Sequence, residues 1–453
     1  MKQSLLPLLI LLCGLTAARA RVIIVSIDGL RPDAVTAWGP EALPNFYRLR
    51  TEGSFTDNAR TDFDNTETLP NHTTMITGRP VLGDCGHGLN VNIGNEHTDL
   101  HSDGYVASMF DVAHDYGFST ALYAVKSKFR VFSGNYNGDR GALDLIGEDN
   151  GRNKIDDFAI NFTDSLSVSR YLSGLQLSYW DFSMLHIGLP DSVGHAQGWS
   201  LDPASSYMNA VITVDGYLGQ IFEAIETDGV LNGATFLIVT SDHGGEIGPG
   251  HIHNEADHPG NYTVPLFVWG PGVKAGADLY ELNPDFTDPG TNRSNFNSVE
   301  QPIRNGMVGN LALDLQGLPA IPGSCHNLSQ RLLVSDPKSF SQTYPWLDPD
   351  EDTNGNGFSN FFDYAIGANP QGPHRHDLMP RMIRDEWSVC LRTNTSDVQP
   401  LYEISANGVH WFPIFEGVTL DRISSTETDG GMRVNMRIPM VVKTALFRQS
   451  FAR

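Results

Sequence analysis

Five short runs of β-branched and aromatic residues, set among longer helix-compatible stretches, constrain this chain more than any other feature. They are RVIIVSI (21–27), STALYAV (119–125), DFSMLHI (181–187), ATFLIVT (234–240) and VPLFVWG (264–270). Runs of this length that are apolar throughout fit strands covered on both faces. Between the third and the fourth, Tyr207, Val211, Val214, Leu218, Ile221 and Ile225 recur at helical spacing, as a helix packed on such a sheet requires. The alternation predicts an α/β domain over residues 21–335 with a mainly parallel central sheet.

In an open parallel sheet, ligands bind in the crevice beyond the carboxyl ends of the strands. The residues just past each run are therefore candidates for chemistry. Asp28 and Gly29 stand after the first, Lys126 and Lys128 after the second, Asp191 after the third, and Asp242-His243-Gly244-Gly245 after the fourth. These distant groups converge on one sheet edge. Asp191 and His195 form D-x-x-x-H, a spacing that puts both side chains on one side of a helical turn or tight loop, facing one ion. The glycines behind Asp242-His243 let backbone approach a ligand. Carboxylates and imidazoles in this number suggest zinc, or a similar ion, in a pair of sites.

A nucleophile is presented in TDFDNTETLPNHTTMITG (61–78). Thr68 sits in T-L-P-N-H, on a turn that Pro70 stiffens and Asn71 can cap, ahead of a helix-compatible run. A threonine hydroxyl is a weak nucleophile, so the placement has meaning only if a base or metal lowers its proton affinity.

The chain has 453 residues and opens with Lys2, an apolar run from Leu5 to Leu15, and Ala18-Arg19-Ala20. This reads as a secretory signal peptide over residues 1–20, too short to span a membrane, and predicts a secreted or periplasmic protein. Removing Lys2 and Arg19 leaves 30 − 2 = 28 basic residues against 53 acidic ones, a formal charge of −25. Such an excess repels nucleic-acid polymers. Cys85, Cys325 and Cys390 remain after cleavage, an odd count that allows at most one internal disulfide and does not say which. N-x-S/T sequons lie at Asn71, Asn161, Asn261, Asn292, Asn327 and Asn394.

After Ser335 the texture changes. In DPDEDTNGNGFSNFFD (348–363), Asp352, Asn354, Asn356, Asn360 and Asp363 stand at positions 1, 3, 5, 9 and 12 of an EF-hand-type loop, with Gly357 at position 6. We expect a calcium-binding linker over residues 336–373. From 374 to 453, the runs WSVCLRT, LYEISA, HWFPIF, MRVNMRI and TALFRQSF suggest a small antiparallel β-unit, structural or attached to a surface.

The ordered motifs SIDGLRPD, TLPNHTTMITG, HGLNVN, LPDSVGH, SDHGG and VPLFVWGPGV resemble those of the type I phosphodiesterase and nucleotide pyrophosphatase group of the alkaline phosphatase superfamily. The resemblance covers residues 21–335 and implies an alkaline-phosphatase-like three-layer α/β sandwich. It implies that Asp28, Asp242 and His243 hold one zinc ion that also contacts Thr68, while Asp191, His195 and a later histidine hold a second. Counting back from Gly270 gives His253 as that histidine, with His258 and His251 as alternatives. It further implies that Asn92, closing H-G-L-N-V-N, binds phosphate, with Asn90 as second choice, and that Thr68 passes through a phosphothreonine on the way to hydrolysing a phosphate ester or nucleotide. Sulfatases share the fold but need Cys or Ser within C/S-x-P-x-R, which Thr68-Leu69-Pro70-Asn71-His72 lacks. Lys126-Ser127-Lys128 is similar to the K-x-K of phosphonoacetate hydrolases and one branch of alkaline phosphatases, so monoester or phosphonate hydrolysis stands as the alternative to diester hydrolysis. A catalytically inactive extracellular binding module is the alternative of another class.

Overall fold

The computed structural model describes residues 19–372 apart from 103, 144–150, 248–251 and 338, and beyond 380 mainly strands. The apolar leader through Ala18 lies outside the described residues, as do His251 and Asn394. Eight strands form the central sheet: β1 (Arg21–Ile27), β2 (Ser54–Arg60), β3 (Thr120–Ala124), β4 (Asp157–Ile160), β5 (Phe182–Ile187), β6 (Thr235–Thr240), β7 (Thr263–Trp269) and β8 (Ala277–Asp278). Their order is β4-β3-β5-β1-β6-β7-β2-β8. β1 pairs in parallel with β5 and β6, and β3 with β4 and β5. β7 runs antiparallel to both neighbours, β6 and β2.

All five apolar runs are strands of this sheet, and the pattern explains why. Along β1, Val22 and Ile24 belong to one core and Ile23, Val25 and Ile27 to another, so each residue is buried on whichever face it points to. On the first face lie α1 (Thr68–Thr77) and α5 (Val308–Leu315); on the second lie α2 (Asp164–Ser178) and α4 (Ser206–Thr227), the latter through Val211, Val214, Leu218 and Ile221. The result is a three-layer α/β sandwich. Truncating any of these buried aliphatics costs about 2–5 kcal/mol, so the sheet holds its register tightly. β1 aligns Ser26 with His186 of β5 on one side and Thr240 of β6 on the other. The ends of three adjacent strands are thereby fixed side by side.

A disulfide joins Cys85 to Cys325 across 240 residues of sequence, and Cys390 is buried in the terminal region. Beyond residue 380 the strands form two antiparallel sheets, Asp421–Thr428, Gly431–Arg437, Glu386–Leu391 and Arg381–Ile383 in one, Phe412–Ile414, Gln399–Ser405 and Leu446–Ala452 in the other. Among the described residues no helix is long and apolar enough to cross a membrane. Of the described sequon asparagines, Asn71, Asn161, Asn261 and Asn327 are buried; Asn292 is exposed.

Candidate active site

Thr68 is the first residue of α1, entered from Glu67 in extended conformation, so its hydroxyl stands at the positive end of the helix. The sequence suggested that Asn71 caps this turn. Instead Asn71 is buried inside it and braces the entry loop: its Oδ1 accepts from the Asp62 backbone N–H at 3.0 Å, and its Nδ2 donates to the carbonyls of Asn65 and Glu67. Thr68 Oγ1 lies 3.5 Å from His243 Nε2 and accepts from Lys126 Nζ at 3.2 Å.

Asp28 leaves β1 and Asp242-His243 leaves β6, both fully buried. Asp191 and His195 sit on α3 (Leu189–Gln197), the helix after β5. His243 Nε2 is 3.3 Å from Asp242 Oδ2, 3.4 Å from Asp28 Oδ1 and 4.0 Å from Asp191 Oδ1. His195 Nε2 and His253 Nε2 are 3.4 Å and 3.5 Å from Asp191 Oδ1 and 3.1 Å from each other. Two metal-competent groups result, Asp28 with Asp191 and His243, and Asp191 with His195 and His253, bridged by Asp191. Of the three candidate histidines, the structure brings His253 to the cluster. His258 is half-buried, accepts from Gly260 N–H at its own turn and lies 3.7 Å from Glu246.

The donor set fits cations. Asp28 Oδ1, Asp191 Oδ1 and Asp242 Oδ2 are buried oxygens with no hydrogen-bond donor among the described residues, a costly state for a charged group unless something positive sits against it. His243 Nδ1 is 2.8 Å from the Gly244 carbonyl and His253 Nδ1 is 2.7 Å from the Thr66 carbonyl. A carbonyl only accepts, so each Nδ1 carries the proton and each Nε2 turns a lone pair inward, the usual arrangement of histidine ligands. A proton is the other charge open to this crowd: burial, then Asp28, push Asp242 up to about 7, while His243, despite burial, is pulled up to about 9 by Asp242 and Asp28. A cation competes with that proton.

Lys126 bridges Asp28 Oδ2 and Asp191 Oδ2, 2.6 Å from each. Burial works against its charge, but Asp28, Asp191 and Asp242 outweigh it and hold the ammonium above its usual range. Lys128 Nζ donates to Asn92 Oδ1 at 2.7 Å, and the same oxygen accepts from the Leu69 N–H of α1 at 3.0 Å. Asn92, Lys126 and Lys128 thus meet Thr68 at the helix start, whereas no hydrogen bond among the described residues places Asn90 there.

Sequence reasoning missed two buried histidines beneath this cluster. His186 Nε2 is 2.9 Å from Asp28 Oδ2, and His72 Nδ1 is 2.7 Å from the Thr68 carbonyl. The glycines behind Asp242-His243 serve a different end from the one their sequence suggests, because protein, not ligand, fills the space they leave. A Cβ on Gly245 or on Gly194 would strike the Trp199 ring at 2.1 Å or 2.2 Å, and one on Gly244 would meet the Gly260 carbonyl at 2.0 Å. Gly29 has φ +71°, and a Cβ there would stand 2.9 Å from Asp191 Cα.

Two other features lie apart from this cluster. A cleft of about 680 Å³, lined by Phe63, Phe286, Phe296, Arg304 and His326, contains none of the candidate ligands. In the 352–363 loop, Asn354 and Asn356 both donate to Asp363, while Asp352 accepts from Asn356 and Gly357 N–H groups. Asn360 instead turns to the Asp348 carbonyl and Thr353.

Against known proteins, a family model described as Sulfatase matches residues 21–298. No curated protein sequence matches the chain. Murine ectonucleotide pyrophosphatase/phosphodiesterase 5, as an inactive variant in complex with AMP, is 16% identical over 67% of this chain and 96% of that one, with a TM-score of 0.44. The human protein is 14% identical over the same shares, with a TM-score of 0.45. Likeness of this degree carries no argument about substrate.

Proposed function

Since this chain belongs to the sulfatase family of the alkaline phosphatase superfamily, we propose that it is a two-cation hydrolase of phosphate esters with Thr68 as nucleophile. One observation carries the reading: three buried, donorless carboxylate oxygens, on Asp28, Asp191 and Asp242, gather beside a threonine hydroxyl at a helix start. Asp28, Asp242 and His243 would hold one divalent cation, in keeping with zinc, and Asp191, His195 and His253 the other. Such cations supply Lewis acidity toward the attacking hydroxyl and the leaving oxygen.

The chain's own groups do the rest. Thr68 Oγ1 gives its proton to solvent and attacks phosphorus in line, with the Lys126 ammonium donating toward that oxygen and favouring its ionised form. The bond from phosphorus to the leaving oxygen breaks and the alcohol departs with a proton from solvent. Lys128 and the Leu69 N–H of α1 hold Asn92 by its Oδ1, which leaves the Asn92 amide N–H to face the charge that spreads over the non-bridging oxygens. Water then cleaves the phosphothreonine, releasing phosphate and restoring the hydroxyl.

A phosphodiesterase or nucleotide pyrophosphatase activity is what the motif resemblance implies. A specific observation favours the second reading, monoester or phosphonate hydrolysis: both lysines reach the nucleophile's surroundings, and two ammonium groups suit a doubly charged substrate better than a singly charged diester. Sulfate ester hydrolysis is disfavoured by Thr68 and His72 standing where a sulfatase needs its formylglycine precursor and arginine. The test is a rate panel on the zinc-loaded protein with nitrophenyl phosphate, bis(nitrophenyl) phosphate, a nitrophenyl nucleotide ester, phosphonoacetate and nitrophenyl sulfate. We expect the phosphate monoester to lead and the sulfate to be inert. Turnover of the sulfate alone would sink the proposal, and turnover of nothing would favour the binding module.

The proposal extends to the chain's ends. The apolar leader and the Cys85–Cys325 disulfide support export to an oxidising compartment; calcium in the linker loop rests on its sequence register, since Asn354 and Asn356 turn amide N–H donors, not oxygens, to Asp363.

A further inference from the structure

The two proposed cation sites leave two fully buried imidazoles without a role, and their hydrogen bonds supply one. His186 Nδ1 accepts from the Val125 N–H at 3.4 Å, so Nε2 carries the proton and donates to Asp28 Oδ2 at 2.9 Å. That bond, together with the Lys126 ammonium 2.6 Å from the same oxygen, ties down Oδ2, while the donorless Oδ1 lies 3.4 Å from His243 Nε2. His72 has the opposite tautomer. Its Nδ1–H donates to the Thr68 carbonyl at 2.7 Å, and its Nε2 accepts from Ser26 Oγ at 2.8 Å. All four ring nitrogens are committed, so neither histidine has a lone pair left for an ion.

The two rings pack edge to face with centroids 5.1 Å apart, and the Phe129 ring lies 4.7 Å from His72 and 4.4 Å from His186. Phe129 belongs to the same turn as Lys126 and Lys128. Ser26 is the next-to-last residue of β1 and Asp28 follows that strand, Thr68 and His72 share one turn of α1, His186 is the next-to-last residue of β5, and Phe129 comes after β3. Four elements therefore meet through three rings.

Resting on the proposed cation sites, we infer that His186 and His72 are positioning residues: His186 orients Asp28 for the buried cation, and His72 fixes the backbone that carries the Thr68 hydroxyl. Bonds of this kind behind a metal ligand commonly govern affinity by about tenfold to a hundredfold.

The test uses the whole protein and zinc uptake measured against a chromophoric chelator, a readout independent of turnover. His186→Leu removes the donor, and the buried site should lose about tenfold to a hundredfold in zinc affinity. His186→Gln puts an amide N–H where Nε2 stood and should restore affinity to within a few fold of the parent. His186→Asn puts its N–H where Nδ1 stood and should lose affinity as leucine does, which keeps the comparison alive if the leucine variant does not fold. For His72, leucine should lower kcat with KM little changed, and asparagine, matching Nδ1, should recover it. Equal affinity in parent and His186→Leu, or equal loss in the glutamine and asparagine variants, overturns the positioning role alone. A parent that takes up no zinc overturns both this inference and the cation sites on which it rests.

Discussion

The two halves of the candidate centre are built differently although Asp191 bridges them. Asp28, Asp242 and His243 are fully buried at the ends of two hydrogen-bonded neighbours, β1 and β6, and lie above His186. The opposite half takes Asp191 and His195 from a helix and His253 from the loop after β6, and the His195 side chain is 48% exposed. One half is set by sheet register. The other hangs on elements that can adjust without breaking the sheet. Under the proposed mechanism, the first half would fix where Thr68 sits and the second would tolerate exchange of its ion.

Substitution should break the symmetry most. Asp28→Asn should cost about a thousandfold in kcat/KM and resist rescue by added zinc, because an amide in that buried place cannot replace the charge. His195→Ala should cost less, about tenfold to a hundredfold, and recover partly with excess zinc. Equal losses with equal rescue would erase the distinction. A smaller contrast lies in metal release: a chelator should draw zinc from the protein in two phases of equal amplitude, and His195→Ala should abolish the fast one. A single phase in the parent protein would count against two unequal sites. Smallest is the effect at the 352–363 loop, which shares no residue with either half. Removing calcium should lower an unfolding transition by a few degrees, as roughly 1–2 kcal/mol does in a unit of this size, while zinc-dependent turnover stays unchanged.

Legibility depended on how each residue earns its place. Strands β1, β3, β5, β6 and β7 were readable because burial on both faces demands uninterrupted apolar residues. β2 was not, since SFTDNAR is polar and partly exposed, and β4 and β8 are short pieces at the sheet's edges. Asp28, Asp242 and His243 were legible because a charge directly after an apolar run is costly to bury unless a ligand balances it. His186 was hidden for the converse reason: within FSMLHI a histidine reads as core. The signal that exposes it is its pairing with Ser26, a second polar residue one step from a strand end, and that requires a register only the folded sheet supplies. The Cys85–Cys325 pairing was equally out of reach, because 240 residues of separation leave no local trace.

Trp199 donates its indole N–H to the Gly29 carbonyl and fills the space left by Gly194 and Gly245. Each of those glycines belongs to a different segment bearing a candidate ligand, so one indole serves as a common mould for three of them. In steric terms these four positions form a single unit. A side chain at Gly194 or Gly245 displaces the tryptophan, and a smaller residue in place of the tryptophan leaves one helix and two loops without their shared template.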